Sequence, residues 1–226
     1  MTKTLVSAAS SPELSEDCPV HGDTCPFSDK LEVLQQEVKR LNTQLRIDEL
    51  TGLYNYRHFL QSLDLEMERS RRSGHPVSLA IMDLDHFKSF NDRWGHEAGN
   101  QALLHVARIL RNSLRRLDIP CRYGGEEFAI ILPSTSLNAA IKLAERLRLR
   151  IAESVLHMDN QELVVTASFG VDCMKSTERI DVPGFVARTD HWLYEAKKDG
   201  RNSVRHAPEY PETQVNKDER DLLLGD

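Results

Sequence analysis

At 226 residues, with 40% hydrophobic and 28% charged residues and a formal net charge of −6, the chain has the length of one domain with appendages and the composition of a globular protein. The negative charge disfavours a broad nucleic-acid footprint but leaves room for a local basic pocket holding a small phosphorylated ligand. No apolar run reaches the roughly 20 residues of a membrane span, and the first residues carry neither a basic leader nor a long apolar centre, so the expectation is a cytoplasmic protein without membrane or nucleic-acid partners.

Residues 1–27 are rich in Ser, Pro, Asp and Glu and read as a flexible leader. Within it, "CPVHGDTCP" brings Cys18, His21 and Cys25 together. Three soft ligands are one short of a structural zinc site, which would need Asp23, a water or a residue across a dimer. Haem contact, a thiol switch or an unliganded polar leader are the other readings of the same residues. From Ser28, Leu31, Leu34, Val38, Leu41 and Leu45 alternate spacings of three and four along a helix over 28–47. Its polar outer face favours a short dimeric coiled coil over a helix lying on its own domain.

Helix and strand then alternate. A helix is expected over about 56–72, a strand over 76–85, a long helix over about 97–115, and a short strand near 120–123. After a glycine turn comes the strand "EFAIILP", spaced to form a β-hairpin with its predecessor. A helix near 136–154, a strand over 162–174, a helix over about 183–198 stopped by Gly200, and a strand near 202–206 follow. The order predicts an α/β fold, an α+β sandwich with helices packed on a mixed sheet. Residues 207–226 carry prolines and dense charge and read as a loose tail.

Acids at the ends of apolar strands are the chemically informative feature. Gly124 and Gly125 permit positive φ and close approach of a ligand, and Glu126 and Glu127 follow them directly. Asp83 and Asp85 close the strand "SLAIMDLD", where a period of two points both to one face. Carboxylates beside a core need a partner, and a hard divalent cation that also binds substrate phosphates is one. Caps facing water would be the alternative for any one of them taken alone.

"RYGGEEF", together with "DELTGLYN", "MDLDHFKSFND", "GHEAGN" and "YEAKKDGRN", resembles the GGDEF domain of diguanylate cyclases in its GGEEF spelling, from about Asp48 to Val204. The resemblance implies a palm-like βαββαβ nucleotidyl-cyclase core, here over 48–206, that condenses two GTP into cyclic di-GMP and two pyrophosphates. Each GTP would sit on one protomer of an antiparallel homodimer, each 3′-hydroxyl attacking the other α-phosphate. It further implies two Mg²⁺ or Mn²⁺ per site, held by Asp83, Glu126 and the Leu84 carbonyl, with Glu127 adding a metal contact or accepting the hydroxyl proton. Lys197 and Arg201 match the family's ligands for the β- and γ-phosphates, and the amides of His86 and Phe87, helped by Lys88, are expected to cradle phosphate. Gly124 and Gly125 would let the hairpin close on base and ribose.

Asn91 matches one guanine-reading position, but the second, usually aspartate in the family, is Asn100 here. An aspartate accepts from both guanine N–H groups, whereas an amide offers one acceptor and one donor. The resemblance keeps cyclic di-GMP as the main expected product, with Asn100 as a near-isostere, and the departure makes cyclic GMP-AMP the alternative. "RRLD" places Arg115 and Asp118 in register with the family's inhibitory RxxD site, and Arg146 matches its secondary arginine, which implies product feedback. A non-catalytic GTP or cyclic di-GMP receptor and a coiled-coil adaptor are the competing classes. The intact acids and Lys197 argue against both.

Overall fold

The computed structural model describes residue 30 and residues 32–38, 46–158 and 161–208. Contacts divide the chain into two units, Met1–Leu45 and Arg46–Asp226. In the first, residues 32–38 are helical, and Val33, Leu34 and Val38 expose 64%, 54% and 57% of their surface. Cys18, His21, Cys25, the seam positions Leu31, Leu41 and Leu45, and the tail beyond residue 208 lie outside the described residues. The helix expected over 28–47 does not reach its last residue, because Ile47 forms an antiparallel bridge with Tyr54.

In the second unit, helix α1 (Tyr56–Ser73) starts where the Asn55 side chain accepts from the His58 amide and stops at Gly74, whose φ of 78° closes the left-handed cap. Phe59, Leu63 and Met67 recur every four residues on its buried face. β1 (Val77–Leu84) is buried along its whole length, as befits a central strand covered on both faces. The sheet also contains β2 (Ile119–Arg122), β3 (Glu127–Pro133), β6 (Ala167–Met174) and β7 (Val204–His206), in the order β2-β3-β1-β6-β7. β1 pairs antiparallel with β3 and β6, β2 forms the expected hairpin with β3, and β7 joins β6 in parallel. The mixed sheet and its βαββαβ order agree with the sequence.

Helices α2 (Phe87–Ser113) and α3 (Leu137–Glu153) cover one face, burying Ala80, Met82, Phe128, Ile130, Phe169 and Val171. The opposite face holds Leu79, Ile81, Ala129 and Ile131 against α1 and α4 (Val182–Lys198). α4 lies so close to β6 that a Cβ on Gly170 would stand 2.3 Å from the Leu193 amide nitrogen.

Two expected elements differ. The helix placed at 97–115 begins ten residues earlier, because the segment "FKSFNDRW" is helical and joins the longer one across Gly95, where φ is 83° and ψ is 163°. The strand placed at 162–174 is broken: β5 (Gln161–Leu163) pairs with β4 (Leu156–Met158) in a separate two-stranded ribbon, and only from Ala167 does the chain enter the main sheet. None of the described helices is long and apolar enough to cross a membrane.

Candidate active site

Alternation along β1 puts Asp83 on the same face as Leu79 and Ile81, toward α1 and α4. In the antiparallel register its cross-strand neighbour on β3 is Glu127, which shares a face with Ala129 and Ile131. The apolar stripe of this face thus ends in carboxylates. Lys197, in the last turn of α4, reaches across to them, its Nζ 2.9 Å from Asp83 Oδ2. Glu126 lies at the mouth of the hairpin, its carbonyl accepting from the Leu84 amide at 3.3 Å.

The electrostatics follow from that crowding. Burial pushes the Asp83 carboxyl above its ordinary range, against the hydrogen bond and charge of Lys197. Glu126 and Glu127 are pushed up by burial and then by the Asp83 charge, again with Lys197 opposing. Asp190 adds to the repulsion on Glu127. Asp190 and Lys197 are seven residues apart on α4, two turns along one face, so helical spacing could have flagged Asp190. Sequence reasoning missed it.

Neither glycine of the turn is left-handed, which corrects the expectation: among the described glycines positive φ falls on Gly52, Gly74, Gly95 and Gly200. Gly124 is required by the Glu127 side chain instead, since a Cβ there would stand 2.4 Å from Glu127 Oε2. Gly125 faces open space, with nothing within 4 Å of its hypothetical Cβ, and its carbonyl accepts from Arg122 Nη2 at 2.8 Å. The same guanidinium holds Asp48 through Nη1 at 3.1 and 3.2 Å. Burial raises the Asp48 carboxyl, but the Thr51 hydroxyl and amide and the Arg122 charge outweigh it and hold the carboxyl below its usual range. "DELTGLYN" is thereby a clasp on the hairpin.

On the α2 side, His86 occupies the left-handed region (φ 56°) and starts the helix, placing the His86 and Phe87 amides just after the acidic strand. Phe87 is buried and Lys88 exposed. The Asn91 Oδ1 is buried and has no hydrogen-bond partner among the described residues. Its amide occupies the space over Gly99, where a Cβ would come within 1.9 Å of it. Asn100 follows, half-buried, one helical segment beyond Asn91.

Asp83 and Asp85 do not act alike. Asp85 is saturated: it accepts from the Thr166 hydroxyl at 2.7 Å, the Ser168 hydroxyl at 2.6 Å and the Asn202 amide at 2.9 Å. It ties the entry of β6 to the turn after α4, where Arg201 and Asn202 both have positive φ, and so positions Arg201. Elsewhere, Asp118 accepts from the Arg115 amide at 2.8 Å. Burial raises the Asp118 carboxyl, while the charges of Arg115 and Arg146 oppose that rise, and Arg146 Nη2 donates to the Ser113 carbonyl at 3.3 Å.

Residues 45–203 match the family described as "Diguanylate cyclase, GGDEF domain". The chain is 41% identical over 161 residues to the response regulator PleD of Caulobacter vibrioides, covering 70% of this chain and 35% of PleD. It is 36% identical over 195 residues to the diguanylate cyclase DgcP of Pseudomonas aeruginosa, covering 83% and 29%. The chain thus spans about a third of these curated relatives. Among solved structures, the coiled coil and GGDEF domain of DgcB from Caulobacter crescentus, in complex with c-di-GMP, superposes with a TM-score of 0.74 at 30% identity, covering 80% of this chain and 95% of that one. The active GGEEF domain of a diguanylate cyclase from Vibrio cholerae does so with a TM-score of 0.64 at 30% identity, covering 69% and 98%. With the family's pattern matched over most of its length and its fold shared, this chain belongs to the GGDEF-domain family of diguanylate cyclases.

Proposed function

We propose that the chain is a diguanylate cyclase that condenses two GTP into cyclic di-GMP, working as a homodimer held by a coiled coil over 28–45 and inhibited by its product at Arg115, Asp118 and Arg146. The observation that carries this reading is the set of mutually repelling acids, Asp83 buried and Glu126 and Glu127 half-buried, answered by Lys197 at one end of the sheet. The buried Asn91 oxygen, without a partner among the described residues, supports a ligand that donates, as a guanine edge does.

Among the described residues no three acidic, histidine or cysteine side chains converge into a ready metal cage. Mg²⁺ does not ask for one, since it favours one or two carboxylates and completes its shell with water and phosphate oxygens. The donor set therefore fits magnesium or manganese, with Asp83, Glu126 and the Leu84 carbonyl as the residues that would hold it. A cation bound there would lower the pKa of the attacking hydroxyl and neutralise charge at the α-phosphate.

The chain's own residues do the rest. Lys197 and Arg201 take the β- and γ-phosphates, and the His86 and Phe87 amides, with Lys88, receive phosphate oxygens before α2. Asn91 and Asn100 orient the base. Glu127, held above the ordinary carboxylate range, receives the 3′-hydroxyl proton.

The test is to incubate the protein with Mg²⁺ and equimolar GTP and ATP and resolve the cyclic dinucleotides by mass spectrometry. Cyclic di-GMP is expected, with Glu127→Gln folded and inactive. A substantial cyclic GMP-AMP fraction would assign Asn100 to relaxed purine choice. GTP binding without product from a folded dimer would overturn the enzyme in favour of a receptor.

A further inference from the structure

Glu126 sits half-buried at the exit of the glycine turn, on a backbone tethered on both sides. The Tyr123 and Gly124 amides donate to the Glu127 carbonyl at 2.8 and 3.1 Å and close the base of the turn. Within it, the Gly125 carbonyl accepts from Arg122 twice, from Nη2 at 2.8 Å and from Nε at 3.2 Å. The Glu126 carbonyl accepts from the Leu84 amide at 3.3 Å. A peptide group is planar, so fixing the Gly125 oxygen fixes the Glu126 amide and constrains its φ, while the Leu84 contact constrains its ψ. Together they set the direction in which the Glu126 side chain leaves the turn.

Arg122 can hold the turn because its other edge is anchored. Its Nη1 lies 3.1 and 3.2 Å from the two Asp48 oxygens, and its side chain is only 18% exposed. A planar guanidinium engaged on two edges is a rigid fork, which an ammonium cannot reproduce. Asp48 is braced in turn, accepting from the Thr51 amide at 2.8 Å and the Thr51 hydroxyl at 2.6 Å. The loop around it is tied back where Arg111 of α2 donates to the Thr51 carbonyl and the Asn55 amide donates to the Arg46 carbonyl at 2.8 Å. The Arg122 amide donates to the Tyr54 carbonyl of the same loop at 2.7 Å.

We propose that Arg122 is a positioning residue of the glycine turn: by bridging Asp48 and the Gly125 carbonyl it aims the Glu126 carboxylate at the cation. The inference rests on the cyclase reading only for the role of Glu126. Asp48 belongs to the segment that opens the second unit, so a displacement of that segment reaches Glu126 through this fork.

The test titrates the full chain with 3′-deoxy-GTP by calorimetry, once with excess Mn²⁺ and once without divalent metal. The analogue lacks the attacking hydroxyl and cannot condense, so the comparison stands whether or not the chain turns GTP over. Arg122→Lys keeps the charge but serves one end of the bridge at a time. It should lose about tenfold in affinity with Mn²⁺ and nothing without it. Asp48→Asn, which keeps an acceptor for Thr51 and loosens the anchor, should lose several-fold in the same direction. Circular dichroism of both should match wild type. Affinity of Arg122→Lys within about twofold of wild type in Mn²⁺, an equal loss with and without metal, a loss confined to melting temperature, or a wild type that gains nothing from Mn²⁺ would overturn the proposal.

Discussion

Substituting either glycine of the turn separates local geometry from substrate contact. In Gly124→Ala the new methyl would lie 2.4 Å from Glu127 Oε2, about 1 Å short of the 3.4 Å at which ordinary contact begins. The obstructing atom ends a flexible side chain, so the fold yields by moving the carboxylate, and the stability change stays within about 1 kcal/mol. The carboxylate moves by about 1 Å, and misplacement of that size in a catalytic group lowers turnover by roughly a hundredfold. Gly125→Ala meets no atom within 4 Å, so it should fold as wild type and express its effect as a raised KM for GTP. The assay is pyrophosphate release across a GTP titration carried to saturation, which reads KM and turnover separately, alongside thermal melts of all three proteins. Turnover of Gly124→Ala within about twofold of wild type would refute the claim that Glu127 packing dictates this glycine.

Further expectations rest on other contacts. The Glu127 carboxyl is raised in the fold, so its contribution to stability is fully present below the ordinary glutamate range and is lost as pH rises through the raised value. Glu127→Gln should accordingly gain melting temperature over wild type at about pH 8 and lose that gain at about pH 4, as melts at both values will show. Asp85→Asn leaves one oxygen where three donors now find two, so it should cost about 2 kcal/mol or more in denaturant titrations. Asp48→Ala and Arg122→Ala should couple by about 1 kcal/mol in a double-mutant cycle. The depressed Asp48 carboxyl makes its contribution present above the unfolded-chain value and lost as pH falls through the lower folded one, so the coupling should fade in acid. Gly170→Ala drives a methyl into the backbone of α4 and should destabilise by about 3 kcal/mol or more.

Most of the sheet was legible because its strands are apolar runs between turn signals, and Asn55, Gly74, Asp181 and Gly200 mark helix ends by local chemistry alone. The start of α2 was not legible: "FKSFNDRW" has weak helical propensity, and its two phenylalanines gain their burial only from the sheet beneath. The break before β6 depends on Asp85 capturing Thr166 and Ser168, more than 80 residues away in sequence, which no local pattern reports. Motif matching could find Asp83, Glu126, Glu127 and Lys197. It could not divide Asp83, with its single ammonium partner, from Asp85, which is saturated, because that division is made by register and by residues from two other elements. Nor could it show that Gly124 answers a side chain rather than a backbone angle.

The Lys197–Asp83 pair has a consequence for the order in which the site fills. Lys197 serves as an internal counter-ion, and the carboxylate it neutralises is the one a divalent cation would occupy. Whatever takes Asp83 would release the Lys197 ammonium, on the proposed reading toward the phosphates, and whatever draws Lys197 away would leave Asp83 with its repulsions uncompensated and more receptive to a cation. By thermodynamic reciprocity each event favours the other to the same extent. On the proposed reading, nucleotide and metal would load as a unit, and a metal-free nucleotide or a nucleotide-free metal would meet a site that is still latched.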